Sequence, residues 1–194
     1  MRTVTMKLDL MDLYRRGSEW TGDKVAGVKD LEGSTPCSEW TVRDLLNHIL
    51  DTQRYFASAG RGDSAAPPGP NPPDTVSDTP ASDFAQARSA VISVFSKEGV
   101  IEKTMPALGV AFTDALIHGW DVAQATGQDA TMPDGLAQAA YTTIHGRFTD
   151  EQRKGLFAPE VPVADDATPQ QRLLAYTGRT PWEYFNGHGK APWP

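Results

Sequence analysis

The chain has 194 residues and an acidic balance, with a net charge of −7 and a pI near 5.0. That is enough length for one domain with its own core, or one domain and a tail, while the charge and the absence of a Lys/Arg cluster argue against nucleic acid or an anionic membrane as partner. A single cysteine, Cys37, allows no intramolecular disulfide, no apolar run resembles a signal peptide, and none approaches the roughly 20 residues of a membrane span, so a cytoplasmic protein is expected.

Leu10, Leu13, Tyr14, Val28 and Leu31 recur at near-helical spacing and predict a first helix over about 8–31, interrupted by Gly17, Gly22 and Gly27. Residues 33–40 read as a loop. Thr41 begins the clearest helix, with Asp44 at the reciprocal position of a capping box and an apolar stripe of Val42, Leu45, Leu46, Ile49 and Leu50, running to about Ser58. Residues 60–80 are rich in Pro, Gly, Asp and Ser and predict a long loop of polyproline character, either a lid or a connector. A third helix is expected over 82–97, a fourth over 110–126 stopped by Gly127, and a fifth over 133–148 with Pro133 in its first turn. A short helix is expected over 168–177; no strand or internal repeat stands out. The expected architecture is all-α: an antiparallel four-helix bundle over 1–155, followed by a Pro-rich extension over 156–194 that packs on it.

The segment 109–127 contains no Lys, Arg or Glu, and its titratable residues are Asp114, His118 and Asp121. At i, i+4 and i+7 they share one helix face, opposite Phe112, Leu116, Trp120 and Ala123. A solvated face would normally carry Lys, Arg or Glu, so this stripe is expected to face an enclosed site. A carboxylate and an imidazole one turn apart, with Cβ atoms roughly 5–6 Å from each other, can share a divalent metal. His48, at the edge of the second helix's apolar stripe, would complete a set of two His and one carboxylate. Three protein ligands leave a position open for water or substrate, the pattern of a catalytic metal.

Plainer readings stand beside these. His48 also reads as a packed or solvated histidine, and Asp114/His118 as an ordinary surface pair. Asp121 either fixes the tautomer of a ligand imidazole or makes a purely structural hydrogen bond. Arg54, Tyr55 and Phe56 are candidates for a pocket mouth and Trp120 for its wall, and each equally suits packing or surface. Cys37 precedes a helix start, which can lower a thiol pKa, but no His adjoins it and the loop reads as packing. His145 and His188 lack a partner at ligand spacing and read as structural or solvated.

Two runs, TPCSEWTVRDLLNH at 35–48 and DALIHGWDVAQATG at 114–127, closely resemble the DinB-like, mycothiol-dependent maleylpyruvate isomerase N-terminal family, and within it an actinobacterial branch. The run TPQQRLLAYTGR at 168–179 resembles that branch's C-terminal segment, so the likeness covers about 8–180. The resemblance implies a DinB-like four-helix bundle holding a divalent metal, zinc first with nickel or manganese as alternatives. His48 and His118 match its His ligands; Asp114 falls where the family has Glu or His, and its shorter side chain reaches less far. The resemblance further implies an enzyme that activates a low-molecular-weight thiol, mycothiol, or water against a small electrophile, as an isomerase or S-transferase. The isomerases carry an extra C-terminal domain for which this chain is too short, so maleylpyruvate itself is a poor guess. Two rivals are a tailoring isomerase or cyclase of secondary metabolism that needs no thiol, and a non-enzymatic small-molecule-binding protein. The aromatic run at 181–185 would suit a homodimer.

Overall fold

The computed structural model describes residues 9–37, 39–154 and 156–180. Their regular structure is helical: α1 (Leu10–Ala26), α2 (Val42–Arg61), α3 (Pro80–Phe95), α4 (Val100–Lys103), α5 (Ala107–Ala125), α6 (Leu136–Ile144), α7 (Asp150–Lys154) and α8 (Pro169–Tyr176). An isolated bridge, Ser34 with Thr41, is the nearest thing to a strand among them. The fold is all-α. None of the described helices is long and apolar enough to cross a membrane.

The helix ends follow local chemistry. Asp9 caps α1 by accepting from the backbone N–H groups of Met11 and Asp12. Thr41 and Asp44 form the expected capping box, and Thr168 and Gln171 repeat it at α8. α1 stops at Ala26 rather than 31, where the N–H of Gly27 turns back to the carbonyls of Asp23 and Lys24. α2 runs past Ser58 to Arg61 because Gly62, at φ 80°, supplies the left-handed residue that ends it. α6 is shorter than expected: Pro133 lies outside it, and the helix starts at Leu136 after Gly135 turns the chain at φ 79°. α4 and α7 are too short for periodicity to reveal.

Among the long helices, α1 packs against α5 and α3, and α2 packs against the same two, closing a ring of contacts. α1 and α5 approach closely through small residues. A Cβ on Gly17 would stand 2.9 Å from the Phe112 ring, and one on Gly119 would meet Thr21 and stand 2.9 Å from the Trp20 ring. The Thr21 hydroxyl donates to the Ala115 carbonyl at 2.8 Å across that seam. Phe112, Leu116, Trp120 and Ala123 are buried, so the apolar face of α5 is its core face.

α6 packs on α5, and α8 packs on α6, burying Leu173, Leu174 and Tyr176 in the same core. His145 lies against the Tyr141 and Tyr176 rings, at centroid distances of 4.6 and 5.2 Å. His188 and the aromatic run at 181–185 fall outside the described residues. The Pro-rich loop between α2 and α3 is tied to α2. Buried Asn47 accepts from the N–H groups of Thr75 and Val76 at 2.8 and 2.7 Å and donates to Asp74 at 3.2 Å. The Trp40 indole N–H reaches the Pro70 carbonyl at 3.0 Å.

Candidate metal centre

α2 and α5 face each other, and on their facing sides stand His48 from one, Asp114 and His118 from the other. One ligand atom from each of these three lies within 4.8 Å of the others, close enough for a single ion to bridge them. His118 Nε2 is 3.5 Å from Asp114 Oδ1, and the His48 and His118 rings meet edge to face with centroids 4.7 Å apart. His118 Nδ1 is 2.9 Å from Asp121 Oδ2. That contact turns Nε2 toward Asp114 and His48.

Two atoms here have no partner. His48 Nδ1 and Asp114 Oδ2 are buried with no hydrogen bond, half of such side-chain atoms among the described residues; the others belong to Gln53 and Arg153. A buried polar atom left unpaired is costly. The three residues together offer the donor set of a divalent cation, one carboxylate and two imidazoles.

The protonation states follow from burial and neighbours. Burial, reinforced by the facing His118, pushes His48 down to about 4, so its imidazole is neutral at pH 7. Burial would lower His118 as well, but Asp114 and Asp121 override it and hold it up to about 9. Burial works to raise the Asp114 carboxyl, yet His118 and His48 keep it below the usual carboxylate value. Asp121 is driven far lower, its desolvation overcome by the guanidinium of Arg179. Without a metal, the proton on His118 provides the positive charge beside Asp114, while Arg179 provides it beside Asp121.

Arg179 is the residue sequence reasoning missed. Its Nε and Nη2 donate to Asp121 Oδ1 and Oδ2 at 2.8 and 2.6 Å, and its Nη1 donates to the Thr177 carbonyl at 3.3 Å. The signal was a charged residue directly after a capped C-terminal helix. Trp40 was missed too: its ring packs on His48 with centroids 4.8 Å apart.

A cavity of about 990 Å3 opens above the three residues, between α2, α5, the Pro-rich loop and the segment after α7. His48, Asp114, His118, Asp121 and Arg179 form part of its lining, and Tyr55 and Phe56 stand on its wall. Arg54 and Trp120 do not take the places expected of them. Arg54 is exposed and donates to the Thr75 hydroxyl at 2.8 Å. It lies six residues after His48 and so on another face, whereas Tyr55, at i+7, shares the His48 face. Trp120 is buried in the core with Phe112 and Leu116, because residues two apart on a helix, such as His118 and Trp120, point apart. Cys37 lines the cavity, but burial pushes its thiol up to about 12, the opposite of an activated nucleophile.

Residues 14–123, which include most of α1, all of α2, α3 and α4, and most of α5, match the family model described as the mycothiol maleylpyruvate isomerase N-terminal domain. Two uncharacterised proteins of Mycobacterium tuberculosis, MT0763 of strain CDC 1551 and Rv0738 of strain H37Rv, are each 29% identical to the chain over 189 residues, covering 89% of it and 99% of their own length. No solved structure matches. The match spans most of the described helical core and all three residues of the candidate site, and the chain belongs to the mycothiol maleylpyruvate isomerase N-terminal domain family.

Proposed function

We propose that the protein is a metal-dependent enzyme that activates a low-molecular-weight thiol, mycothiol, or water against a small electrophilic substrate, with an isomerisation or S-transfer as outcome. The observation that carries this reading is the meeting of His48, Asp114 and His118 at a cavity, with one ligand atom from each within 4.8 Å of the others. A bound divalent ion, zinc first and nickel or manganese next, would lower the pKa of a thiol or water so that its anion is available near neutral pH.

The chain's own residues then divide the remaining work. His48 is already neutral at pH 7 and ready to ligate. His118 would ligate as the neutral imidazole, and Asp121 holds its Nδ1 so that Nε2 points inward. Arg179 keeps Asp121 ionised and fixed in place. Apolar walls beside the cluster would strengthen electrostatic interactions there wherever a substrate displaces water. A thiol-free tailoring reaction is the second reading. It is favoured by the cavity's largely apolar walls, which give the hydroxyls of a sugar-bearing thiol few partners.

The deciding experiment is metal content per chain by mass spectrometry, on protein purified without chelator or His-tag, beside His48→Ala and His118→Ala. Near-stoichiometric metal in the parent and its loss in both variants is expected. A parent that takes up no zinc, nickel or manganese on soaking removes the metal-based mechanism. Given metal, turnover of electrophiles with and without thiol separates the two readings.

A further inference from the structure

The cavity is larger than the metal chemistry requires, and its walls have a different character from its floor. Trp40, Tyr55, Phe56, Val110, Ile117 and Phe157 line it from four sides of the fold: the loop before α2, α2 itself, α5 and the segment after α7. The polar groups at the floor are largely committed to one another. Arg179 donates to Asp121 through Nε and Nη2 and to the Thr177 carbonyl through Nη1, the Thr113 hydroxyl donates to the Gly109 carbonyl at 3.0 Å, and the Thr52 hydroxyl donates to the Ile49 carbonyl at 2.9 Å. At the rim, Lys154 is exposed and pairs with Glu151 at 3.1 Å. Among the described lining residues, the polar groups deep in the cavity that are left for a ligand are those of the His48, Asp114 and His118 cluster, with the Tyr55 hydroxyl on the wall and the Glu39 carboxylate also in the lining.

A site of this kind selects by shape and apolar contact over most of the ligand and by one polar contact at the end. Its volume of about 990 Å3 lies at the top of the range of roughly 300–1,000 Å3 for pockets that enclose drug-sized molecules. We propose that these walls are a subsite for the hydrophobic body of the substrate, which carries a single polar head that reaches His48, Asp114 and His118. A compact dicarboxylate would leave the walls unfilled, with only Lys154 at the rim, already paired with Glu151, to meet its second charge. The inference rests on the proposed function for its account of the head, and on the walls alone for its account of the body.

The test is a series of straight-chain alkyl hydroxamates of increasing length, titrated calorimetrically against zinc-loaded and metal-free protein. The hydroxamate head chelates a metal and the chain reports on the walls. Affinity is expected to rise about fourfold per methylene until the cavity is full, in both forms of the protein, with the zinc-loaded form uniformly tighter. Val110→Trp, at a half-buried wall position, should shorten the chain length at which the rise stops, and Phe157→Ala should flatten the slope. A zinc-loaded protein that binds short and long hydroxamates equally overturns the hydrophobic subsite while leaving the metal reading intact. A slope with no difference between loaded and metal-free protein supports the subsite and overturns the metal reading instead.

Discussion

Arg179 holds Asp121 through two hydrogen bonds, at 2.8 and 2.6 Å, and the same carboxylate meets His118 Nδ1 at 2.9 Å. Arg179 stands 58 residues after Asp121 and beyond the stretch that matches the family model. Both side chains are almost wholly buried. Arg179→Ala should therefore cost about 3–5 kcal/mol in a denaturant melt, since it strands a buried charge. It should also weaken zinc binding about 10–100-fold in a chelator competition, because the imidazole loses its orienting partner. Adding Asp121→Asn should recover much of the stability but not the affinity; recovery of both would mean that the pair has no bearing on the metal.

Zinc affinity should rise tenfold per pH unit up to about pH 9. His118, held up to about 9, must release a proton to ligate, whereas His48, held down to about 4, is already neutral. Titrations in buffers from neutral to mildly alkaline pH check this. An affinity independent of pH there would mean that His118 is not a ligand.

The metal-free protein should be most stable near neutrality. His118 has a raised pKa, so its stabilisation is complete below its ordinary value of about 6.5 and is lost as pH rises through about 9, a change of roughly 3 kcal/mol. His48 has a lowered pKa, so folding favours its neutral form, and stability is lost as pH falls from about 6.5 toward about 4. Thermal melts across pH, made with a chelator present, should show a fall on both sides. Zinc should remove the alkaline fall, because binding to the folded form grows stronger over the same interval.

Asp114→Asn should lose most of its zinc, and Asp114→Glu, which keeps the carboxylate, should keep it. Metal content by mass spectrometry decides. An Asn variant with a full complement would leave the two histidines as the protein's only needed ligands.

Gly119→Ala should lower stability by about 1–3 kcal/mol, the usual result of forcing a methyl group into a filled seam. The new Cβ would press on Thr21 and the Trp20 ring. Calorimetric melting measures the loss, and an unchanged melting temperature would show that α1 can move away from α5 at no cost.

What could be read from the sequence was local or periodic. The Thr41/Asp44 box needs only a spacing of three, and the faces of α2 and α5 need only the helical repeat, which put His48, Asp114 and His118 on sides that could meet. Helical repeat also holds the reason that Arg54 and Trp120 go elsewhere, since neither shares a face with the histidine it adjoins. Arg179 with Asp121, and Asn47 with Thr75 and Val76, are contacts across long stretches of chain, and periodicity names a face without naming what covers it. The ends of α1 and α6 depended on how Gly27 and Gly135 turn the backbone, which composition does not specify.

Trp40 touches both the site and the loop over it. Its ring lies on the His48 imidazole, and its indole N–H is fastened to Pro70. The fluorescence of this one side chain is sensitive to the charge on its neighbour and to the solvent around it, so the protein carries its own optical gauge. Filling the centre and shifting the loop would each alter the emission. With the chain's other four tryptophans replaced, occupancy could be followed in real time without any added label.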